Sequence, residues 1–410
     1  MANTLEGQRR IIGVTATASL HSIDAVLLEV EGTAYDLFIQ VVHAVQEPMA
    51  RDLRELLVRV SGPEGADSRQ IALAHRLLGE AFAVAVRNLA DSASVSLQSV
   101  LCVGSGGFTA WLENQGRTPT YLNLGSPSVI AERTGLTVLS DFAGRDQASG
   151  GLGAPLAPLV DAILFQVADE ARLTIHLGGL TQVTILPPRH SDQPVLGWQA
   201  GPGNVLLDSL IQVLTRGRER MDAGGRYAVQ GRHLPELLDR WLLHPGITSR
   251  PPKALHRAYF AETFARQTAA LAQQKGWTAH DLMCTATHLV ARAVADSVQR
   301  FSPREFRPAR AILTGGGVRN GMLWRLLEER LSDIRFERSD AFGIPADVKE
   351  AVDAAVLACL FLDQENANLS AATGAIGGRL LGSVTPGSLA NWSRCLAWLT
   401  GRREAFVEED

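Results

Sequence analysis

Short runs rich in β-branched residues alternate along the chain with longer stretches whose apolar residues recur at helical spacing, which predicts α/β architecture. Residues 11–17 and 23–30 flank a short polar connection and read as a β-hairpin. Helices are predicted at 48–60 and 68–89. Residues 100–104 read as a buried strand running into the glycine turn 105–107, and 136–142 as another strand ending at Gly144-Arg145-Asp146. A second hairpin is predicted from 172–178 and 181–186 around Gly179-Leu180. Gly201-Pro202-Gly203-Asn204 then opens an apolar helix over 205–215. Long helices follow at 257–274 and 279–301. A strand at 311–314 meets Gly315-Gly316-Gly317 and a helix from Asn320. The almost wholly apolar stretch 346–361 predicts a buried helix, and the polar, glycine-rich 366–388 a loop or lobe connection. A hairpin near residue 12 that recurs near residue 172 points to two similar lobes.

Length and composition narrow the class. At 410 residues the chain has room for two large domains or two lobes of one enzyme. With 46% hydrophobic and 20% charged residues it is globular, not disordered. Its 39 basic residues against 43 acidic ones give a net charge of −4, which supplies no broad basic surface for nucleic acid. Four scattered cysteines form no CxxC pair, and ten histidines form no HExxH, so no metal site is expected. The N-terminal stretch is charged and no run of 18 apolar residues occurs, so a soluble cytoplasmic protein without membrane contact is expected.

Three glycine-bearing turns stand directly after strands, where backbone N–H groups and a helix start suit an anion. Gly201–Asn204 and Gly315–Asn320 have this form; each alone also reads as a tight turn for chain reversal. Together they favour a nucleotide site, although neither a Walker A loop nor a GxGxxG fingerprint is present. Asp146, just past a strand and beside Arg145, is the leading candidate for the carboxylate that accepts a proton during phosphoryl transfer, with Arg145 holding an oxygen of phosphate or substrate. The alternative is a structural Asp146 that caps the next helix or pairs with Arg145. Lys253 and Arg257 read either as phosphate contacts or as solvated surface, Trp198 as a sugar-pocket wall or a core residue, and Glu350 as an acid suited to a helix start.

The order of these motifs resembles the anhydro-N-acetylmuramic acid kinase family over nearly the whole chain. The carrying segments are 131–142, Arg145-Asp146 through Gly153-Ala154-Pro155-Leu156, Gly201 through Asp208, Pro252-Lys253, Gly315 through Asn320, and Asp340 through Asp347 with Glu350-Ala351. The resemblance implies a two-lobed actin-like ATPase fold of the sugar-kinase type, with RNase H-like lobes and a central cleft. The first lobe is expected at 1–135 plus about 385–410, with its phosphate hairpin at 11–30, and the second at 136–384. It further implies ATP with Mg2+ as the substrate complex, an anhydro-sugar acceptor and a homodimer. Family members open the 1,6-anhydro bond of anhydro-N-acetylmuramic acid with water and phosphorylate O6, a step of peptidoglycan recycling. The resemblance puts the catalytic aspartate on Asp146 and nucleotide contacts on Ser19, Asp24, Gly178, Gly179, Gly201, Gly203, Asn204, Gly315, Gly316, Gly317 and Asn320.

Departures from the family pattern cluster at polar positions. Where the family reads SGTSxDGVD, this chain has Ala16 through Asp24, which keeps only Ser19 and Asp24 of the polar set and puts His21 in place of an acid. The HGQT turn is Gly106-Gly107-Phe108-Thr109, and His176 and Gln199 stand in the second hairpin and before the GPGN turn. Two readings follow: a working anhydro-sugar kinase in which His21, His176 or Gln199 replaces lost groups, or a catalytically impaired relative, a pseudoenzyme that binds nucleotide, sugar or protein.

Overall fold

The computed structural model describes residues 8–113 and 120–407. Residues 1–7, on which the expectation about a leader partly rests, lie outside the described residues. The chain divides into two compact units, Met1–Leu164 with Gly343–Asp410, and Phe165–Phe342. Among the described residues no helix is long and apolar enough to cross a membrane.

The first unit opens with β1 (Arg9–Ala16), β2 (Ser22–Thr33) and β3 (Asp36–Pro48), followed by β4 (Cys102–Glu113), β5 (Thr120–Leu124) and β6 (Thr137–Ser140). The second holds β7 (Arg172–Leu177), β8 (Leu180–Leu186), β9 (Leu196–Pro202), β10 (Arg310–Thr314) and β11 (Arg335–Arg338); β12 (Ser383–Thr385) returns to the first. The first sheet runs β12-β6-β4-β1-β2-β3, with β5 paired to β4; the second runs β11-β10-β7-β8-β9. In the first, β1, β2 and β3 form an antiparallel meander and β4 and β6 add in parallel beside β1. In the second, β7, β8 and β9 form the same meander and β10 and β11 add in parallel beside β7. One strand order used twice makes each unit an RNase H-like lobe, as the recurring hairpin predicts.

The division differs from the expected boundary at residue 136. β6 pairs in parallel with β4, Cys102 opposite Thr137 and Ser105 opposite Ser140, so it completes the first sheet. The helix Lys349–Leu362 belongs there too. Its Lys349 is buried and ion-paired to Asp161 at 2.7 Å and to Asp353. That helix lies directly on the sheet because β4 carries glycine where it crosses: a Cβ on Gly104 would stand 2.2 Å from the carbonyl oxygen of Ala354. On the opposite face, the helix Ser68–Ser92 starts at a capping box, in which the Asp67 carboxylate accepts the Gln70 N–H at 2.7 Å and the Gln70 side chain accepts the Asp67 N–H. It buries Leu78, Phe82, Val86 and Leu89 in a core shared with β1, β2 and β4.

Several elements differ from the expected ones. The strand predicted to 142 ends at Ser140, and a helix, Phe142–Ala148, begins almost at once. The helix predicted from 257 is a short 3-10 turn, Arg257–Phe260, broken from Glu262–Lys275 at Ala261, whose ψ of −147° is not helical. The segment 366–388 contains a helical turn, Ser370–Thr373, and β12.

Candidate functional site

In the first unit the chemistry gathers where β6 ends. Asp141 follows it directly, at φ 55° and ψ 48°, and precedes the helix Phe142–Ala148. Its carboxylate reaches solvent and accepts the Gly144 backbone N–H; partial desolvation outweighs that bond and raises it above the ordinary aspartate value. Tyr121 on β5 feels the Asp141 charge and hydrogen-bonds to Thr109; burial, the larger cause, pushes its phenol well up. Arg145, on the helix Phe142–Ala148, is exposed.

Asp146 is not placed as the sequence suggests. It is fully buried, and both carboxylate oxygens are engaged. Oδ1 accepts the Asn368 amide and the Thr373 hydroxyl, each at 2.7 Å, and Oδ2 accepts the Gly153 N–H at 2.8 Å. A general base must come within hydrogen-bond reach of the proton it takes. The surroundings of Asp146 instead make it the anchor of the Gly150–Gly153 loop and the 368–375 segment. Asp141 is the second carboxylate of this strand-to-helix passage and the one that reaches solvent; sequence reasoning did not single it out, although it too follows the strand and starts a helix.

The first hairpin turn is closed by Leu20 N–H to the Thr17 carbonyl at 2.9 Å, and Ser19 Oγ lies 3.1 Å from Thr17 Oγ1. Leu20 adopts φ 57° and buries its side chain completely. Asp24, expected among the nucleotide contacts, is fully buried within β2, and its Oδ1 accepts from Ser22 Oγ at 2.6 Å and Gln46 Nε2 at 3.1 Å, while Oδ2 has no hydrogen-bond partner. Burial pushes Asp24 up to about 6; Ser22 and Gln46 oppose the rise, and Glu350 and Asp347 add to it.

In the second unit the glycines converge. The N–H groups of Gly203 and Val205 donate to the Gly179 carbonyl and that of Asn204 to Gly178, while Asn204 Nδ2 reaches the Leu177 carbonyl at 3.2 Å. A Cβ on Gly203 would stand 2.4 Å from Gly178 O; one on Gly315 or Gly317 would meet Leu177 at 2.7 Å. Thus Gly178, Gly179, Gly203, Asn204, Gly315 and Gly317 form one junction at the end of β7. The first amides of the helix Asn204–Leu214 are spent inside this junction, on the carbonyls of Gly178 and Gly179. Gly316 is exposed and Asn204 partly so.

Gly201 and Asn320 serve packing. A Cβ on Gly201 would lie 2.9 Å from the Ala293 Cβ, and Asn320 is buried, with Oδ1 capping the helix Gly321–Arg330 at Leu323 N–H. Beside the junction, His176 Nδ1 lies 2.9 Å from Thr314 Oγ1, and Gln199 Oε1 accepts the Leu255 N–H at 2.5 Å. Trp198 is a core residue bonded to Ser297 Oγ. Lys253 is neither a phosphate contact nor solvated: it is buried among backbone carbonyls. Among the described residues no group of three His, Cys, Asp or Glu side chains could hold a metal ion.

Comparison with known proteins gives a consistent result. The sequence model of one family, anhydro-N-acetylmuramic acid kinase, matches residues 9–387. A protein of that name from Bacillus cereus (strain AH820) is 32% identical over 381 residues, covering 92% of this chain and 98% of the relative. Another from Synechocystis sp. is 33% identical over 383 residues, covering 91% and 97%.

Proposed function

The chain belongs to the anhydro-N-acetylmuramic acid kinase family, and from that membership we propose that it transfers the γ-phosphoryl group of ATP to O6 of anhydro-N-acetylmuramic acid while water opens the anhydro bridge. The observation that carries this reading is the unbroken family match from residue 9 to residue 387. Magnesium enters as part of the MgATP substrate. In this reading Asp141 takes a proton from water as the oxygen bonds to C1. The C1–O6 bond breaks, O6 accepts the γ-phosphoryl group, and ADP leaves. A raised aspartate is the stronger base for this task, and Asp141 is raised for the physical reason given above. Asp146 acts one layer behind, holding the loop that follows the helix of Arg145. In the second unit the glycine junction presents Gly316 and Asn204 toward the nucleotide.

A second reading rests on the first hairpin. Its turn carries a buried leucine where a bare backbone would let phosphate approach, and its one retained acid, Asp24, is buried. In that reading the protein binds ligand without turning it over. Purified protein, MgATP and anhydro-N-acetylmuramic acid, followed by mass spectrometry, separates the two. Sugar 6-phosphate that vanishes in Asp141→Asn supports the kinase; ATP binding without product at enzyme excess supports the binding protein.

A further inference from the structure

Lys253 is a long, charged side chain with only 5% of its surface exposed. Its ammonium donates to the carbonyls of Ile247 at 2.8 Å, Gly246 at 3.2 Å and Ala200 at 3.3 Å. An ammonium has three N–H bonds, so this set uses them all. The charged group that faces it is Arg300 on the helix Ala279–Phe301, whose charge adds to burial in lowering Lys253. The ring of Phe301 lies 5.7 Å from Nζ.

What the ammonium holds is specific. β8 and β9 pair with Thr181 opposite Gly201 and Gln182 opposite Gln199, so Ala200 is the extra residue of a β-bulge. A bulge bends its strand and leaves one residue outside the ladder. Ala200 is fully buried, so its carbonyl needs a donor from elsewhere, and Lys253 supplies it. Three residues further on, the strand delivers Gly203 and Asn204 to the glycine junction. The same segment is fastened again where Leu255 N–H donates to Gln199 Oε1.

We propose that Lys253 is a positioning residue for the nucleotide: its ammonium clamps the bulge at Ala200 and so sets where Asn204 and the glycine junction stand. This rests on the nucleotide reading above. Substitution Lys253→Met keeps the apolar stem and leaves the carbonyls of Ala200 and Ile247, both buried, and that of Gly246 without this donor. The cost falls on the turn that meets ATP and not on the sugar side, so the signature is a split between substrates.

The test uses the full chain. MgADP affinity is measured by calorimetry for wild type and Lys253→Met, with steady-state KM for ATP and for the sugar. The expected result is nucleotide affinity about ten- to a hundredfold weaker in the variant, with sugar KM unchanged. Lys253→Ala supplemented with propylamine, which supplies the three missing carbons and the ammonium, is expected to recover nucleotide affinity with sugar KM still unchanged. Unchanged affinity in a folded Lys253→Met overturns the proposal. Should the variants fail to fold, MgADP affinity of the wild type is followed from pH 7 to 9.5. Burial brings Lys253 down to about 8, so affinity is expected to fall across that range, and a flat profile overturns the proposal. A wild type that binds no nucleotide at neutral pH defeats the functional reading as well; one that binds but ignores Lys253→Met defeats only the clamp.

Discussion

Asn368 donates its side-chain amide to Oδ1 of Asp146 at 2.7 Å, although the two residues lie 222 positions apart in the chain. With the Thr373 hydroxyl and the Gly153 N–H, this makes a closed shell around a carboxylate that never meets solvent. Asp146→Asn would turn one acceptor into a donor facing a donor. The expected loss is about 2–4 kcal/mol of stability, read as a lower denaturant midpoint. Asp141→Asn, at the exposed end of β6, should leave stability within about 0.5 kcal/mol. It should lower turnover about 10²–10⁴-fold. Full turnover in Asp141→Asn with none in a stably folded Asp146→Asn would reverse the two roles.

The glycine junction gives a second prediction. A methyl group on Gly203 would be forced against Gly178 O, which cannot retreat because Asn204 N–H is bonded to it. Gly203→Ala should therefore weaken MgADP binding by about tenfold or more while sugar KM stays put. Equal nucleotide affinity in wild type and variant would show that the junction does not bear on ATP.

Leu20 sets two effects against each other. Its left-handed backbone costs about 1–2 kcal/mol, which glycine would relieve. Its buried side chain is worth about 2–5 kcal/mol, which glycine would forfeit. The second effect is larger, so Leu20→Gly should destabilise by about 1–3 kcal/mol, measured by chemical denaturation. A more stable variant would mean that the turn is held against its preference for the sake of ligand.

Asp24 predicts a pH dependence of stability. Its folded value of about 6 lies above the ordinary 3.8, so between those pH values the folded chain keeps a proton that the unfolded chain has released. Stability contributed by the neutral form is present at low pH and lost as pH rises through that window. The groups facing it, Ser22, Gln46, Glu350 and Asp347, supply no positive charge. Asp24→Asn should gain about 1–2 kcal/mol over wild type at pH 7.5 and nothing at pH 4. A difference that does not change with pH would place the ionisation of Asp24 outside this window.

Much of the architecture was legible. The hairpins around residues 12 and 172 stand out because β-branched residues cluster there and polar turns separate them. β3 was not legible: its burial alternates along Asp36–Pro48, but apolar Phe38 and Val42 stand on its exposed face, so the sequence shows no alternation of polar and apolar residues. β11, four residues reading Arg-Phe-Glu-Arg, and β12, three residues long, take their strand character from the neighbours they pair with. The unit boundary was missed for the same reason, since only the pairing of Cys102 with Thr137 assigns β6 to the first sheet. At the site, sequence supplied residue types but not orientation. Asp141 and Asp146 sit five positions apart on one strand-to-helix passage, and partners from 368 and 373 decide which of them is enclosed. The glycines were found for a partly different reason than expected, because they let backbone meet backbone.

The rings of Phe165 and Phe342 meet edge-on, 6.0 Å between centroids, at the two ends of the second unit. A stretch of chain that leaves and returns at one point behaves as a cassette. A splice of a few residues closes its host, so grafting this cassette between relatives requires no long tether. The order of the gene thus hides a simple transaction: one lobe interrupted once by another of the same pattern.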